Sequence, residues 1–106
     1  IYLPYVIRYN AKVMDAAKRY EDIANALGLD GVDALCRKID EFNKRMGIPK
    51  TLKEFGIDEA EFKEKLSDIS KNAIGDACTG SSPRQPSQEE MEKLFTAIYY
   101  GNEIDF

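Results

Sequence analysis

The chain has 106 residues, 43% of them hydrophobic and 32% charged, with a formal net charge of −4. This length suits one domain with a modest core. The acidic balance, with no basic run, argues against nucleic acid as a partner, and no apolar stretch approaches the roughly 20 residues that cross a bilayer.

Histidine is absent from the chain, which removes the commonest general base and the commonest metal ligand. The two cysteines, Cys36 and Cys78, lack a metal-binding spacing, and a disulfide is not indicated because the context is typical of the cytoplasm. The chain begins with Ile1 and shows no signal peptide pattern. We therefore expect a cytoplasmic protein, and a fragment or processed product.

The opening stretch, "IYLPYVIRYN", is compatible with two structures. Its β-branched and aromatic residues suit a strand. Leu3, Val6 and Ile7, however, continue at helical spacing towards the next segment, and Pro4 is tolerated near a helix start. We favour a helix here.

Four further segments repeat apolar residues every three or four positions, which predicts amphipathic helices whose apolar faces form the core. The first two stripes are Val13, Ala17, Tyr20, Ile23, Ala24 and Leu27, then Val32, Leu35, Ile39, Phe42 and Met46. The last two are Phe62, Leu66, Ile69, Ala73, Ile74 and Ala77, then Met91, Leu94, Phe95, Ile98 and Tyr99.

The residues between these segments predict where helices start and stop. Glycine follows helical runs at Gly28, Gly47, Gly56 and Gly101, where a left-handed cap is wanted. Capping-box spacing occurs in the pairs Thr51 with Glu54, Asp58 with Glu61, and Ser87 with Glu90. A short helix is therefore expected after Thr51, and the last helix after Ser87.

These signals predict an all-α fold, a bundle of four to five main helices plus a short helix, in a single domain of residues 1–106. The one low-complexity stretch is residues 79–87, "TGSSPRQPS", which we expect to be a loop before the last helix.

Two side chains beside this loop are candidates for function. Cys78 is either a small buried hydrophobe at the end of a helix or a residue that lines a cleft; a nucleophilic role lacks a base. Arg84 either ties the loop to a carboxylate or to backbone carbonyls, or faces a ligand or another domain. The carboxylates elsewhere have the spacing of solvated helix faces.

Four stretches, in this order, carry a family resemblance: "IYLPYVIRYN", "RYEDIANALG", "MGIPKTLKEFGIDEAEF" and "DACTGSSPRQPSQEEMEKLFTAIYYG". Together they resemble the C-terminal helical domain of the iron-dependent (group III) alcohol dehydrogenases, which have a dehydroquinate-synthase-like fold. The closing stretch looks most like the alcohol dehydrogenase part of bifunctional aldehyde–alcohol dehydrogenases.

The resemblance implies a parent enzyme that interconverts small alcohols and aldehydes with NAD(P) and a divalent metal, iron or zinc. In the family the metal lies between this domain and an N-terminal cofactor-binding domain, on one Asp and three His. The chain would then lack every metal, cofactor and catalytic residue and be inactive alone. The parent is expected to be a homo-oligomer. Cys78 would line the substrate side of the cleft, and Arg84 would anchor the loop.

Two positions depart from the family pattern. Ser82 occupies a position that is usually Asn, and Tyr5 one that is often His. The alternative function is a stand-alone helical protein-interaction module, and a further alternative is a small enzyme of other chemistry. A severed domain should expose apolar surface where its missing half docks.

Overall fold

The computed structural model describes residues 1–106 and contains seven helices and no strand. The wholly helical fold predicted from the sequence is confirmed, including a helix in the opening stretch. The helices are α1 (Leu3–Asn10), α2 (Met14–Ala26), α3 (Gly31–Arg45), α4 (Leu52–Phe55), α5 (Glu59–Gly75), α6 (Ala77–Gly80) and α7 (Gln88–Tyr100). None of them is long and apolar enough to cross a membrane.

The predicted capping residues begin three of the helices. The side chains of Thr51, Asp58 and Ser87 each accept a hydrogen bond from the backbone N–H three residues later, and Ser87 with Glu90 forms a complete capping box. Helix α7 ends at Gly101, whose φ of 79° lies in the left-handed region. This turn lets Asn102 N–H donate to the Ala97 carbonyl and reverses the chain onto the helices.

The core lies around α7, which packs against α1, α4 and α5. At its centre, the Tyr99 ring stacks on Phe62 with ring centroids 4.3 Å apart. The Tyr99 hydroxyl donates to the Ile57 carbonyl over 2.8 Å, so the buried phenol is satisfied. Ile104, in the segment that follows α7, is also buried in this cluster.

Two of the apolar stripes are less buried than the sequence suggested. Ile23 and Leu27 on α2 are 50% and 65% exposed, and Phe42 and Met46 on α3 are 46% and 66% exposed. The expectation that these side chains lie in the core is wrong. The reason is that α2 and α3 form a pair that packs against α1, and no other helix covers its outer side.

The third predicted stripe, residues 62–77, is divided at Asp76. This residue is extended (φ −71°, ψ 136°) and its carboxylate accepts a hydrogen bond from Cys78 N–H over 2.7 Å, which starts α6. Thr79 and Gly80 therefore belong to a short helix, and the irregular loop comprises residues 81–87.

Candidate functional site

A groove of about 430 Å³ opens between α1, α6, the loop 81–87 and α7. Helices α1 and α7 contribute its apolar side chains, which include Val6, Leu94 and Phe95. At one end, the Tyr2 ring meets the Phe95 ring edge to face, with centroids 6.4 Å apart. Helix α6 and the loop contribute polar or small groups, so one side of the groove is apolar and the other polar.

Cys78 lies on this groove and is exposed. Of the two placements that the sequence left open, the buried one is not observed for Cys78. It is observed for Cys36, which is fully buried on α3 with its Sγ 3.8 Å from the Pro4 carbonyl oxygen. Burial raises the pKa of the Cys36 thiol. Both thiols are free.

Arg84 also lines the groove, and its guanidinium contacts three separate parts of the chain. Its Nη1 donates to the main-chain oxygens of Tyr9 (3.1 Å) and Phe106 (2.8 Å), and its Nη2 donates to Glu90 Oε1 over 3.2 Å. The guanidinium carbon also lies 3.9 Å from the centroid of the Tyr9 ring. The side chain is only 17% exposed, so these contacts are weakly screened by solvent.

Tyr9 and Glu90 complete this cluster, and sequence reasoning missed both as site residues. The Tyr9 hydroxyl donates to Glu90 Oε2 over 2.9 Å. Burial, and then this hydrogen bond, raise the pKa of Tyr9 to about 12. The bond from Tyr9, the N–H of Ser87 and the Arg84 charge hold the pKa of Glu90 below its usual value. The capping box identified Glu90 as a helix-start residue, but no local pattern links it to Tyr9.

Gln85 is a further residue that the sequence did not single out. Its amide nitrogen donates to the carbonyls of Thr79 (3.1 Å), Gly80 (3.2 Å) and Ser82 (2.8 Å), which ties the loop to the end of α6. Arg84 is the one side chain of residues 81–87 that hydrogen-bonds to α1 and to Phe106. The loop is therefore held by contacts within the chain.

Comparison with known proteins relates the chain to a family. Residues 1–99 match the Fe-containing alcohol dehydrogenase family, C-terminal. The chain belongs to this family. Its resemblance to iron-dependent alcohol dehydrogenases, drawn from four sequence stretches, is confirmed.

The similarity to individual members of this family extends over the whole chain or nearly all of it. The chain is 53% identical to an NADPH-dependent butanol dehydrogenase of Clostridium saccharobutylicum, covering 100% of this chain and 28% of that protein. It is 35% identical to an aldehyde-alcohol dehydrogenase of Streptococcus pneumoniae, covering 95% and 14% respectively.

A solved structure, an iron-containing alcohol dehydrogenase from Thermococcus thioreducens, superposes with a TM-score of 0.87 at 33% identity. The match covers 95% of this chain and 26% of that one. This chain thus spans less than a third of the length of the relatives named here.

The iron that the family name implies does not fit the residues of this chain. No group of three or more His, Cys, Asp or Glu side chains comes together to hold a metal ion. The lining of the groove includes one thiol, that of Cys78, and the cationic Arg84, and a guanidinium repels a metal cation. We therefore assign no metal ligand to this chain.

Proposed function

We propose that this chain is the C-terminal helical part of a metal-dependent alcohol dehydrogenase that interconverts small alcohols and aldehydes with NAD(P). In this proposal, the groove between α1, α6, the loop 81–87 and α7 forms one wall of the substrate cleft. The metal and the nicotinamide cofactor would be held by residues outside the chain, and the chain alone would be inactive. A homo-oligomeric parent stays a prediction.

The observation that carries the proposal is the position of Cys78. It lies in the "CTGSSPRQP" stretch, one of those that carry the family resemblance, and it is an exposed residue that lines the groove together with the apolar side chains of α1 and α7. Apolar side chains such as Leu94 and Phe95 suit the alkyl part of a small alcohol. They would bind it and exclude water from the reacting end.

Arg84 has a separate role in this proposal: it anchors the loop that carries the polar side of the groove. Its bonds to Tyr9, Glu90 and Phe106 use both of its terminal nitrogens. Three of its five N–H donors are thus used within the chain, and the side chain is only 17% exposed, so we assign it to positioning and not to catalysis.

The exposed apolar side chains support a larger parent. Tyr2 and Leu3, at the start of α1, are 46% and 56% exposed. The radius of gyration is 14.3 Å, against about 13 Å for a compact domain of 100 residues. We propose that the remainder of the enzyme docks on the side of α1 that bears these residues.

Substitution of Cys78 in the intact enzyme tests the cleft assignment. Cys78→Trp should raise the Michaelis constant for butanol and longer alcohols by at least about tenfold, because the indole fills space that an alkyl chain would occupy. Ethanol should be affected less. Cys78→Ser, which keeps the side-chain volume, is the matched control and should keep the parent's chain-length profile.

A second control separates crowding of the groove from a general effect of an added indole. Met14→Trp places the same ring on α2, at a side chain that is 86% exposed and does not line the groove. It should leave the kinetic constants unchanged. If Cys78→Trp also keeps the parent's activity across short and long alcohols, with folding preserved, the groove is not the substrate cleft. An intact protein without dehydrogenase activity would favour the interaction-module alternative.

A further inference from the structure

The segment that follows α7, residues 102–106, is held against the helices by a hydrogen bond and by packing. Gly101 reverses the chain, and Asn102 N–H bonds back to the Ala97 carbonyl over 3.0 Å. Ile104 is 7% exposed and belongs to the core cluster. The Phe106 ring then lies against Tyr9, with ring centroids 6.0 Å apart. The segment is thus fixed at both its start and its end.

The same segment contacts the loop 81–87 at a single side chain. The Phe106 main-chain oxygen accepts the shortest hydrogen bond that Arg84 makes, at 2.8 Å. The Arg84 guanidinium also lies over the Tyr9 ring that Phe106 packs against. Arg84 is therefore enclosed by α1, by Glu90 of α7 and by residues 102–106.

The hydrogen bonds from the loop to α1 and to residues 102–106 are made by Arg84 alone. None of residues 81–87 is buried, so apolar burial contributes little to holding its shape. The three bonds of Gln85 stay inside residues 79–85, so they attach the loop to the end of α6 but not to α1 or to residues 102–106. A loop with so few buried contacts opens locally at a low cost in free energy unless the hydrogen bonds that attach it stay formed.

We propose that residues 102–106 are a strap that holds the loop 81–87 in place through Arg84. By fixing Arg84, the strap sets the polar side of the groove from a position that does not itself line the groove. Loosening the strap should free the loop while the helices stay folded.

Hydrogen exchange in the full-length protein tests the strap directly and does not depend on catalytic activity. The reporters are the amides of Ser81 and Ser82, which bond to the carbonyls of Cys78 and Thr79. Ile104→Ala loosens the strap from the core without touching the loop. Phe106→Ala removes the ring from Tyr9 but keeps the main-chain oxygen. Each should speed exchange at both amides by about fivefold to tenfold, because each lets the Phe106 main-chain oxygen move away from Arg84, and this factor corresponds to one net hydrogen bond.

The matched control is Leu52→Ala, because Leu52 is 8% exposed in the same core cluster but lies on α4, away from the loop. It lowers global stability without loosening the strap, so the loop amides should exchange at close to the wild-type rate. Loop exchange within twofold of wild type in both strap variants would overturn the proposal. So would acceleration of equal size in Leu52→Ala, since the effect would then be global. Phe106→Ala keeps the test decisive if Ile104→Ala fails to fold.

Discussion

Replacement of Tyr9 by Phe tests the cluster of Tyr9, Glu90 and Arg84, because the structure predicts a dependence on pH with a definite sign. The pKa of Tyr9 is raised to about 12 in the folded state, first by burial and then by its bond to Glu90. An unfolded tyrosine titrates near pH 10. Between these values the folded chain holds a proton that the unfolded chain has lost, so the free energy of unfolding falls as pH rises.

The size of the effect follows from this displacement of the pKa. At pH 8, Tyr9→Phe removes a hydrogen bond to a carboxylate and should lower the free energy of unfolding by about 1–2 kcal/mol. Between pH 8 and pH 11 the wild type loses about 1.4 kcal/mol through the Tyr9 proton alone, since each pKa unit corresponds to that amount. The variant lacks this loss, so most of the difference between the two proteins should vanish at pH 11.

Urea unfolding followed by circular dichroism, at pH 8 and pH 11, measures both quantities. Tyr2→Phe is the matched control, because its ring is 46% exposed and the substitution should change stability little at either pH. Other tyrosines and lysines titrate in the same range, but they do so equally in the wild type and the variant. A gap between wild type and Tyr9→Phe that stays constant from pH 8 to pH 11 would refute the reasoning.

Three further substitutions test the turn after α7, the packing around Ser70 and the pH dependence of stability that Glu90 causes. Gly101→Ala should lower the free energy of unfolding by about 1–2 kcal/mol, because φ is +79° and a new Cβ would lie 3.0 Å from Thr51 Cγ2. The control is Gly75→Ala, whose new Cβ meets open space, and thermal melts should show it to be near neutral. Ser70→Ala should raise the unfolding free energy by about 1 kcal/mol, since its buried hydroxyl has no hydrogen-bond partner; a loss in urea unfolding would contradict this. The lowered pKa of Glu90 contributes stability that is lost as the pH falls through it. Below pH 5 the free energy of unfolding should therefore decrease less steeply with falling pH in Glu90→Gln than in the wild type. An unchanged pH dependence would contradict the proposed interactions of Glu90 with Tyr9 and Arg84.

The helices could be predicted from the sequence because their signals are local. Ser87 and Glu90 are three residues apart and form the box that starts α7. Burial could not be predicted in the same way, because it depends on which element covers a stripe. Ile23 and Phe42 have the correct helical spacing for a core position, yet each is about half exposed since nothing packs over them.

The site shows the same division between local and distant information. The exposed Cys78 and the bonded Arg84 both fall among placements that the sequence had left open. Arg84 bonds to a carboxylate and also to backbone oxygens, the two kinds of partner that the sequence allowed. Which residues supply them was not predictable, because Tyr9 is 75 positions away in sequence. No periodicity or spacing rule reaches across that distance.

The attachment of the loop within the chain changes how its order is explained. A loop rich in glycine, serine and proline buries little apolar surface, while ordering costs roughly 1–2 kcal/mol per residue. Such a loop needs contacts from other residues to hold one shape, and docking of a second domain is one source of them. Arg84 and Gln85 supply them within the chain instead. If the groove is a wall of the substrate cleft, as we propose, its polar side is then organised before the rest of the enzyme docks. Docking would incur a smaller entropic cost for that reason, and the exposed Tyr2 and Leu3 would remain free to contribute apolar contact to it.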